Sequence, residues 1–116
     1  MICAVAEIAE PLLVVDVTRE GNSAVVRIEG EVEFATAPRL RATLLDLAQE
    51  GVSPVVVDLA EVTFLDSAGI SLLIQAKKRL TSANSDLILR SPQQNIRRVL
   101  EISGVTELFG IEDLPS

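Results

Sequence analysis

The sequence contains no histidine, no tryptophan and no tyrosine, and its 116 residues include one cysteine. Without histidine, neither a Ser/His or Cys/His nucleophilic arrangement nor an ordinary imidazole metal site can be built. The lone Cys3 cannot form an internal disulfide or a cysteine-based zinc site, and it indicates weakly a reducing compartment. Carboxylate-pair and lysine chemistry remain possible, but both lysines, Lys77 and Lys78, lie in a basic run with Arg79. We therefore expect a protein that is not an enzyme and that has no cofactor and no metal.

Long apolar runs and an excess of positive charge are also missing. No apolar run approaches the roughly 20 residues needed to span a bilayer. Residues 1–10 carry Glu7 and Glu10 where a signal peptide would have a basic flank. Ten basic against 17 acidic residues give a net charge of −7, which disfavours nucleic acids and anionic membranes as partners. The sequence predicts a cytoplasmic protein that binds neither directly.

Apolar residues, in contrast, make up 48% of the chain, which is enough for one hydrophobic core. A length of 116 residues fits one domain, and we expect it to span 1–116 with mobile ends at 1–10 and 112–116. The predicted strands are 12–17, 24–28, 55–59, 87–89 and a short one within 108–111. The predicted helices are 36–50, 68–80 and 93–102. The order β-β-α-β-α-β-α-(β) indicates an α/β fold in which helices pack on a mixed sheet.

Local patterns refine this prediction. The polar turn at 19–23 is short, so the first two strands should form an antiparallel hairpin. Three consecutive valines at 55–57 are typical of a strand buried on both faces. Residues 61–65 are expected to be a loop that leads into the second helix. Thr36 is a candidate N-cap for the first helix.

The informative position is Ser67, at the start of the second predicted helix. Unpaired backbone N–H groups and the positive end of the helix dipole are found there, and they can hold an anion without a basic side chain. A phosphate on Ser67 would add about −1.5 to −2 charges next to Asp66, a change that the folded protein can tolerate and a docked partner cannot. The alternative is that Asp66 and Ser67 form an ordinary helix cap, which spacing alone favours. Gly69 costs about 0.5–1 kcal/mol relative to alanine inside a helix, which indicates a close approach to the backbone.

Two segments carry a family resemblance. The stretch VVVDLAEVTFLDSAGISLL at 55–73 resembles the signature of STAS domains, specifically that of bacterial anti-sigma factor antagonists. In that signature, a strand ending in Asp-Leu leads through apolar residues to Asp-Ser-[Ser/Thr/Ala]-Gly. The upstream stretch GEVEFATAPRL at 30–40 resembles the Gly-Glu-[apolar]-Asp segment of the same family. The resemblance extends from about Leu12 to Leu108.

The resemblance implies a partner-switching regulator. In this family the serine after the aspartate, here Ser67, is phosphorylated by an anti-sigma factor that is itself a serine kinase. The unphosphorylated form binds the anti-sigma factor and so releases a sigma factor for transcription. The phosphorylated form dissociates, and a PP2C-type phosphatase resets it. ATP would belong to the kinase, so this chain would be its substrate and ligand.

The resemblance also implies which residues contact the partner. They are Glu33, Thr36, Asp58, Asp66, Ser67, Ala68 and Gly69. Glu33 stands where the family usually has Asp, so its carboxylate reaches one methylene further, and Ala68 stands where many members have a second hydroxyl. Three of these residues have plainer alternatives: Glu33 as a solvated acid, Thr36 as a helix cap, and Asp58 as a strand-end acid bonded to local backbone.

Basic residues cluster in two runs, at 77–79 and 97–98. Positive charge near the end of a helix interacts favourably with the helix dipole. We interpret both runs as solvated faces, and contact with an acidic partner surface is the alternative.

A second functional hypothesis keeps the fold without the phosphorylation. Domains of the family that this chain resembles also occur as stressosome scaffolds, as accessory subunits of lipid-transport complexes and as tails of anion transporters. The lack of a membrane-spanning run disfavours the last role. A scaffold or accessory subunit of this size is therefore the alternative to the phosphorylation switch.

Overall fold

The strands and helices follow one another in the predicted order. The structure, a computed structural model, describes residues 13–112. Its strands are β1 Leu13–Glu20, β2 Ser23–Val32, β3 Val55–Leu65, β4 Leu87–Arg90 and β5 Gly110–Glu112. Its helices are α1 Ala37–Gln49, α2 Ser67–Ser82 and α3 Gln94–Ile102, and a 3-10 turn, Thr106–Leu108, precedes β5. The α/β class and the element order β-β-α-β-α-β-α-β are thus confirmed.

The five strands form one sheet in the spatial order β1-β2-β3-β4-β5. β1 and β2 are antiparallel and form the predicted hairpin, whose turn is Gly21 and Asn22. Gly21 has a φ of +58°, which glycine adopts without the steric cost that a Cβ would bring. The pairs β2–β3, β3–β4 and β4–β5 are parallel, so one helix connects each pair. The carboxyl ends of β2 and β3 therefore lie side by side.

The core lies between the sheet and the helices. Inward-facing residues alternate along the strands, as Val26 and Ile28 do in β2, and α1 buries Leu40, Leu44 and Leu47 at helical spacing. On β3 the run at 55–57 is buried at every position, which confirms the prediction of a strand covered on both faces. The packed sheet thus fixes the positions of the strand ends at its edge.

The prediction of a loop at 61–65 is wrong, because these residues continue β3 to Leu65. They pair in parallel with the second half of β2, from Glu29 opposite Glu61 to Val32 opposite Leu65. The pairing shifts register between Arg27 and Glu29 and again after Gly30. The short apolar run suggested an end at Leu59, but pairing with β2 supplies backbone hydrogen bonds that extend the strand.

Other boundaries differ by a few residues. β1 and β2 extend toward each other because the hairpin turn needs two residues, and β2 continues to Val32 because it pairs with β3. α2 extends to Ser82, so Arg79 is the basic residue in its last turn. Of the ends expected to be mobile, 1–10 and 113–116 lie outside the described residues, and Glu112 is the last residue of β5. Within 13–112, no helix has the length and apolar character needed to cross a membrane.

Candidate functional site

The two resembling segments meet at one edge of the sheet. Val32 and Leu65, the last residues of β2 and β3, are register partners. The backbone N–H of Asp66 donates to the carbonyl of Val32 at 3.2 Å. The loop into α1 and the start of α2 are therefore adjacent, and we call their combined surface, residues 33–36 and 66–69, the Ser67 rim.

Asp66 joins the two halves of the Ser67 rim. It is the N-cap of α2, with an extended backbone (φ −103°, ψ −172°), and its Oδ1 accepts the Gly69 N–H at 3.0 Å. Its Oδ2 accepts the Phe34 N–H at 3.2 Å, across 32 positions of sequence. One carboxylate thus caps a helix and holds a neighbouring loop.

Because Asp66 provides the cap, Ser67 does not. Ser67 is the first residue of α2 and its side chain is exposed. Among residues 13–112, none is hydrogen-bonded to its hydroxyl. The capping alternative therefore holds for Asp66, and the Ser67 hydroxyl faces solvent at the positive end of the helix dipole.

Gly69 is buried, and the protein's own core approaches it. A Cβ at this position would lie 2.5 Å from Leu65 Cδ1, 2.9 Å from Val32 Cγ1 and 3.0 Å from the Val32 carbonyl oxygen. The first turn of α2 therefore packs directly on the ends of β2 and β3. The expected close approach is confirmed, but the approaching groups are side chains and backbone of this domain.

Thr36 stabilises the other half of the Ser67 rim. It occupies the N-cap position of α1, as predicted, but its side chain makes no capping hydrogen bond. Its Oγ1 instead accepts the Glu33 N–H at 3.0 Å and donates to the Glu31 carbonyl at 2.7 Å. The prediction that Thr36 caps α1 with its side chain is thus wrong, because backbone groups of Glu31 and Glu33 bind its hydroxyl.

Phe34 is the large exposed apolar residue of this loop, and sequence reasoning missed it. Its side chain is 81% exposed, although its amide is fixed by Asp66. The chain has three phenylalanines and no other aromatic residue, so an aromatic side chain directly after the Gly-Glu-Val-Glu segment was the available signal. The Phe34 amide, and not the Glu33 side chain, makes the hydrogen bond to the Asp66 carboxylate, and the Glu33 side chain is half-buried.

Asp58 lies apart from the Ser67 rim. It is in the middle of β3, and its Oδ1 accepts the Ala60 N–H at 3.0 Å. A strand rises about 3.3 Å per residue, which places Asp58 roughly 20 Å along β3 from Leu65. The structure thus brings together six of the seven predicted contact residues. Asp58 is the seventh, and it has the alternative role, a hydrogen bond to local backbone.

The Ser67 rim presents carboxylates and one exposed hydroxyl, that of Ser67. Glu33 and Asp66 are its charged residues, and the chain has no histidine to activate the Ser67 hydroxyl. Within residues 13–112, no group of three His, Cys, Asp or Glu side chains is placed to hold a metal ion. The rim presents a hydroxyl that an external enzyme can reach.

Comparison with known proteins supports the same family. The STAS domain family model matches residues 14–114. The anti-sigma-B factor antagonist of Staphylococcus epidermidis is 31% identical over 76% of this chain and 82% of its own length. An anti-sigma factor antagonist from Mycobacterium paratuberculosis has the same fold, with a TM-score of 0.78 and 23% identity over 86% of this chain and 85% of that one.

The phosphorylated form of the Bacillus cell fate determinant SpoIIAA also has this fold. Its TM-score is 0.71, with 20% identity over 89% of this chain and 93% of that one. The matched residues include every strand and helix of the present structure except the first residue of β1. The chain is therefore a member of the STAS domain family.

Proposed function

We propose that this protein is an anti-sigma factor antagonist whose binding to an anti-sigma factor is switched off by phosphorylation of Ser67. The observation that carries the proposal is the exposed Ser67 hydroxyl, free of the capping role that Asp66 takes. The name of the Staphylococcus epidermidis relative, an anti-sigma-B factor antagonist, supports the activity. The SpoIIAA neighbour, described in a phosphorylated form, supports the switch.

The expected effect of phosphate follows from charge and position. A phosphoserine carries about −1.5 to −2 charges at neutral pH. At Ser67 it would face solvent at a helix N-terminus, where an anion is tolerated because of the helix dipole. It would also stand next to the Asp66 carboxylate, so the Ser67 rim would become strongly negative. The fold can accept that change, and a partner docked on the rim loses affinity.

The predicted contact residues then have two roles. Five of them belong to the surface that the partner meets, since none is buried: Glu33, Thr36, Asp66, Ser67 and Ala68. Gly69 is buried, so it acts by letting α2 pack close to the sheet. Asp58, bonded to Ala60, acts on the fold of β3 in the same indirect way.

The proposal assigns catalysis to other proteins. The anti-sigma factor would be a serine kinase that transfers the phosphate of ATP to the Ser67 hydroxyl, and a PP2C-type phosphatase would hydrolyse the phosphoserine. The chain itself would be substrate and ligand. Binding of the unphosphorylated form would release the sigma factor.

The test has two steps. Intact-mass analysis of the protein from its own cells should reveal a species heavier by one phosphate that Ser67→Ala lacks. Binding of purified variants to the anti-sigma factor should then be measured by calorimetry. We expect Ser67→Ala to bind like the wild type and Ser67→Asp to bind at least about tenfold more weakly, the effect of placing like charge in an interface.

Thr81→Asp is the matched control, because Thr81 is exposed near the far end of α2. It adds the same charge to the same helix away from the Asp66 cap, and we expect a smaller loss. Equal affinity of Ser67→Ala and Ser67→Asp for the anti-sigma factor, together with no phosphorylated species, would overturn the switch. The STAS fold would then serve as a scaffold or accessory subunit, as in a stressosome or a lipid-transport complex.

A further inference from the structure

A groove runs between α1 and α2 from the Ser67 rim to the far end of α2. Its first part, about 230 Å³, begins at Phe34 and Ala68. Its second part, about 390 Å³, continues to Ser82. Both parts are lined by Arg41, Leu72 and Gln75. The α1–α2 groove is therefore one continuous depression that starts beside Ser67.

The charge of the α1–α2 groove is opposite to that of the chain. The protein carries 17 acidic residues and a net charge of −7, yet the charged side chains that line the groove are all basic. They are Arg41, in both parts, and Lys78 and Arg79, in the second part. Lys77, in contrast, pairs with Asp86. Within residues 13–112, no ion pair engages the three lining cations. The groove thus concentrates positive charge on an acidic protein.

The floor of the groove is apolar. Leu72 and Ala76 of α2 are buried and Leu45 of α1 is half-buried. At the Ser67 end, the exposed ring of Phe34 stands on a loop whose amide Asp66 holds. A large apolar side chain on a fixed backbone is typical of residues that dominate binding energy in protein interfaces, because little conformational entropy is lost on binding.

We propose that the α1–α2 groove receives an acidic segment of the anti-sigma factor, with Phe34 as its apolar contact at the Ser67 end. This inference rests on the function proposed above and adds the chemistry of the partner. The three cations attract carboxylates, and the apolar floor accepts aliphatic or aromatic side chains of the same segment. The acidic character of the segment also accounts for the direction of the switch, because a phosphate on Ser67 places negative charge at the entrance of the groove.

Charge reversal tests the basic part of the groove. Arg41→Glu and Arg79→Glu should each weaken binding of the unphosphorylated protein to the anti-sigma factor by at least about tenfold, and Arg41→Gln by less. Arg98→Glu is the matched control, since Arg98 is an equally exposed arginine on α3, and it should change affinity by less than about twofold. The losses at Arg41 and Arg79 should shrink as salt is raised, because mobile ions screen exposed charges.

Truncation tests the apolar contact. Phe34→Ala should weaken binding by at least about tenfold, as removal of a central interface residue does. Ile102→Ala is the matched control, because the Ile102 side chain is 79% exposed on α3 and that of Phe34 is 81% exposed. We expect Ile102→Ala to bind like the wild type, and urea unfolding should show that both variants are folded.

The outcomes separate the two proposals. If the wild type binds the anti-sigma factor and Ser67→Asp does not, but Arg41→Glu, Arg79→Glu and Phe34→Ala bind normally, the groove assignment is overturned and the switch stands. If the wild type fails to bind any anti-sigma factor of its cell, the proposed function is overturned. If the three variants instead abolish self-association in light scattering, the occupant is a second copy of this chain and the proposed partner is wrong.

Discussion

α1 and α2 begin side by side at the same edge of the sheet, but their first turns are built differently. α2 has a side-chain cap from Asp66 and a buried Gly69 pressed against two strand ends. α1 has no side-chain cap, and Thr36 bonds to backbone groups three and five positions before it, in its own loop and at the end of β2. The start of α2 is thus held by other elements, and the start of α1 mainly by its own loop.

This difference shows how one surface can be held in two ways. Ser67 is on the first turn of α2, which the Asp66 cap and the strand ends hold. Phe34 is in the loop before α1, and its amide is held across the rim by Asp66. A change at Asp66 therefore affects both sides, while a change at Thr36 affects one. Substitutions at these positions can test that asymmetry.

The largest effect on stability is expected from Gly69→Ala. The new Cβ would lie within 3.0 Å of a side chain from each strand end, and such overpacking costs about 1–3 kcal/mol. Urea unfolding should show this loss. Without the close approach, the same substitution in a helix would stabilise by about 0.4–1 kcal/mol, so a more stable variant would contradict the rigid packing of α2. Ser71→Ala, on the exposed face of the helix, should stay within about 0.5 kcal/mol of the wild type.

A smaller effect is expected when each loop loses its side-chain bond. Asp66→Ala should cost about 1–2 kcal/mol, the usual loss on removing an N-cap. Thr36→Val should cost about 0.5–1.5 kcal/mol, the net worth of a hydrogen bond. Hydrogen exchange separates them: Asp66→Ala should speed exchange of the Gly69 and Phe34 amides, and Thr36→Val that of Glu33. Faster exchange at Gly69 in Thr36→Val would show that the two helix starts are not independent.

Much of this fold could be predicted because its signals are local. Leucines at helical spacing indicated α1, and the buried valine run indicated the first half of β3. The loop prediction for the second half of β3 overlooked its strand-favouring residues, Val62, Thr63 and Phe64. Pairing with β2, a non-local effect, decides its conformation.

Part of the site could be predicted in the same way. The resemblance of Asp-Ser-Ala-Gly to the family signature indicated Ser67 and its neighbours, whereas the helix-start pattern alone favoured a cap. The bond from Phe34 to Asp66 was not predictable, because it spans 32 positions and depends on the register of two parallel strands. The α1–α2 groove depends on how two helices pack, so its basic lining appeared in the sequence as separate residues.

The smallest effect on stability is expected at the far end of α2, which is also held by a side-chain bond. There Lys77 donates a hydrogen bond to Asp86, just before β4. This bond is the main reason why the pKa of Asp86 lies below its ordinary value of 3.8. The Leu87 amide and the lysine charge also lower that pKa, and partial burial opposes the shift. A lowered carboxyl pKa stabilises the folded state above pH 3.8, and that stability is lost as the pH falls through the lowered value. Asp86 is half-exposed, so Asp86→Asn should cost less than about 1 kcal/mol near neutral pH and nothing in strong acid. Urea unfolding across that range measures the difference, with the exposed Asp46→Asn as a control. A loss as large as that of Asp66→Ala would mean that this exposed ion pair holds the end of α2 as firmly as the Asp66 cap holds its start, and would contradict the small effect expected of an exposed pair.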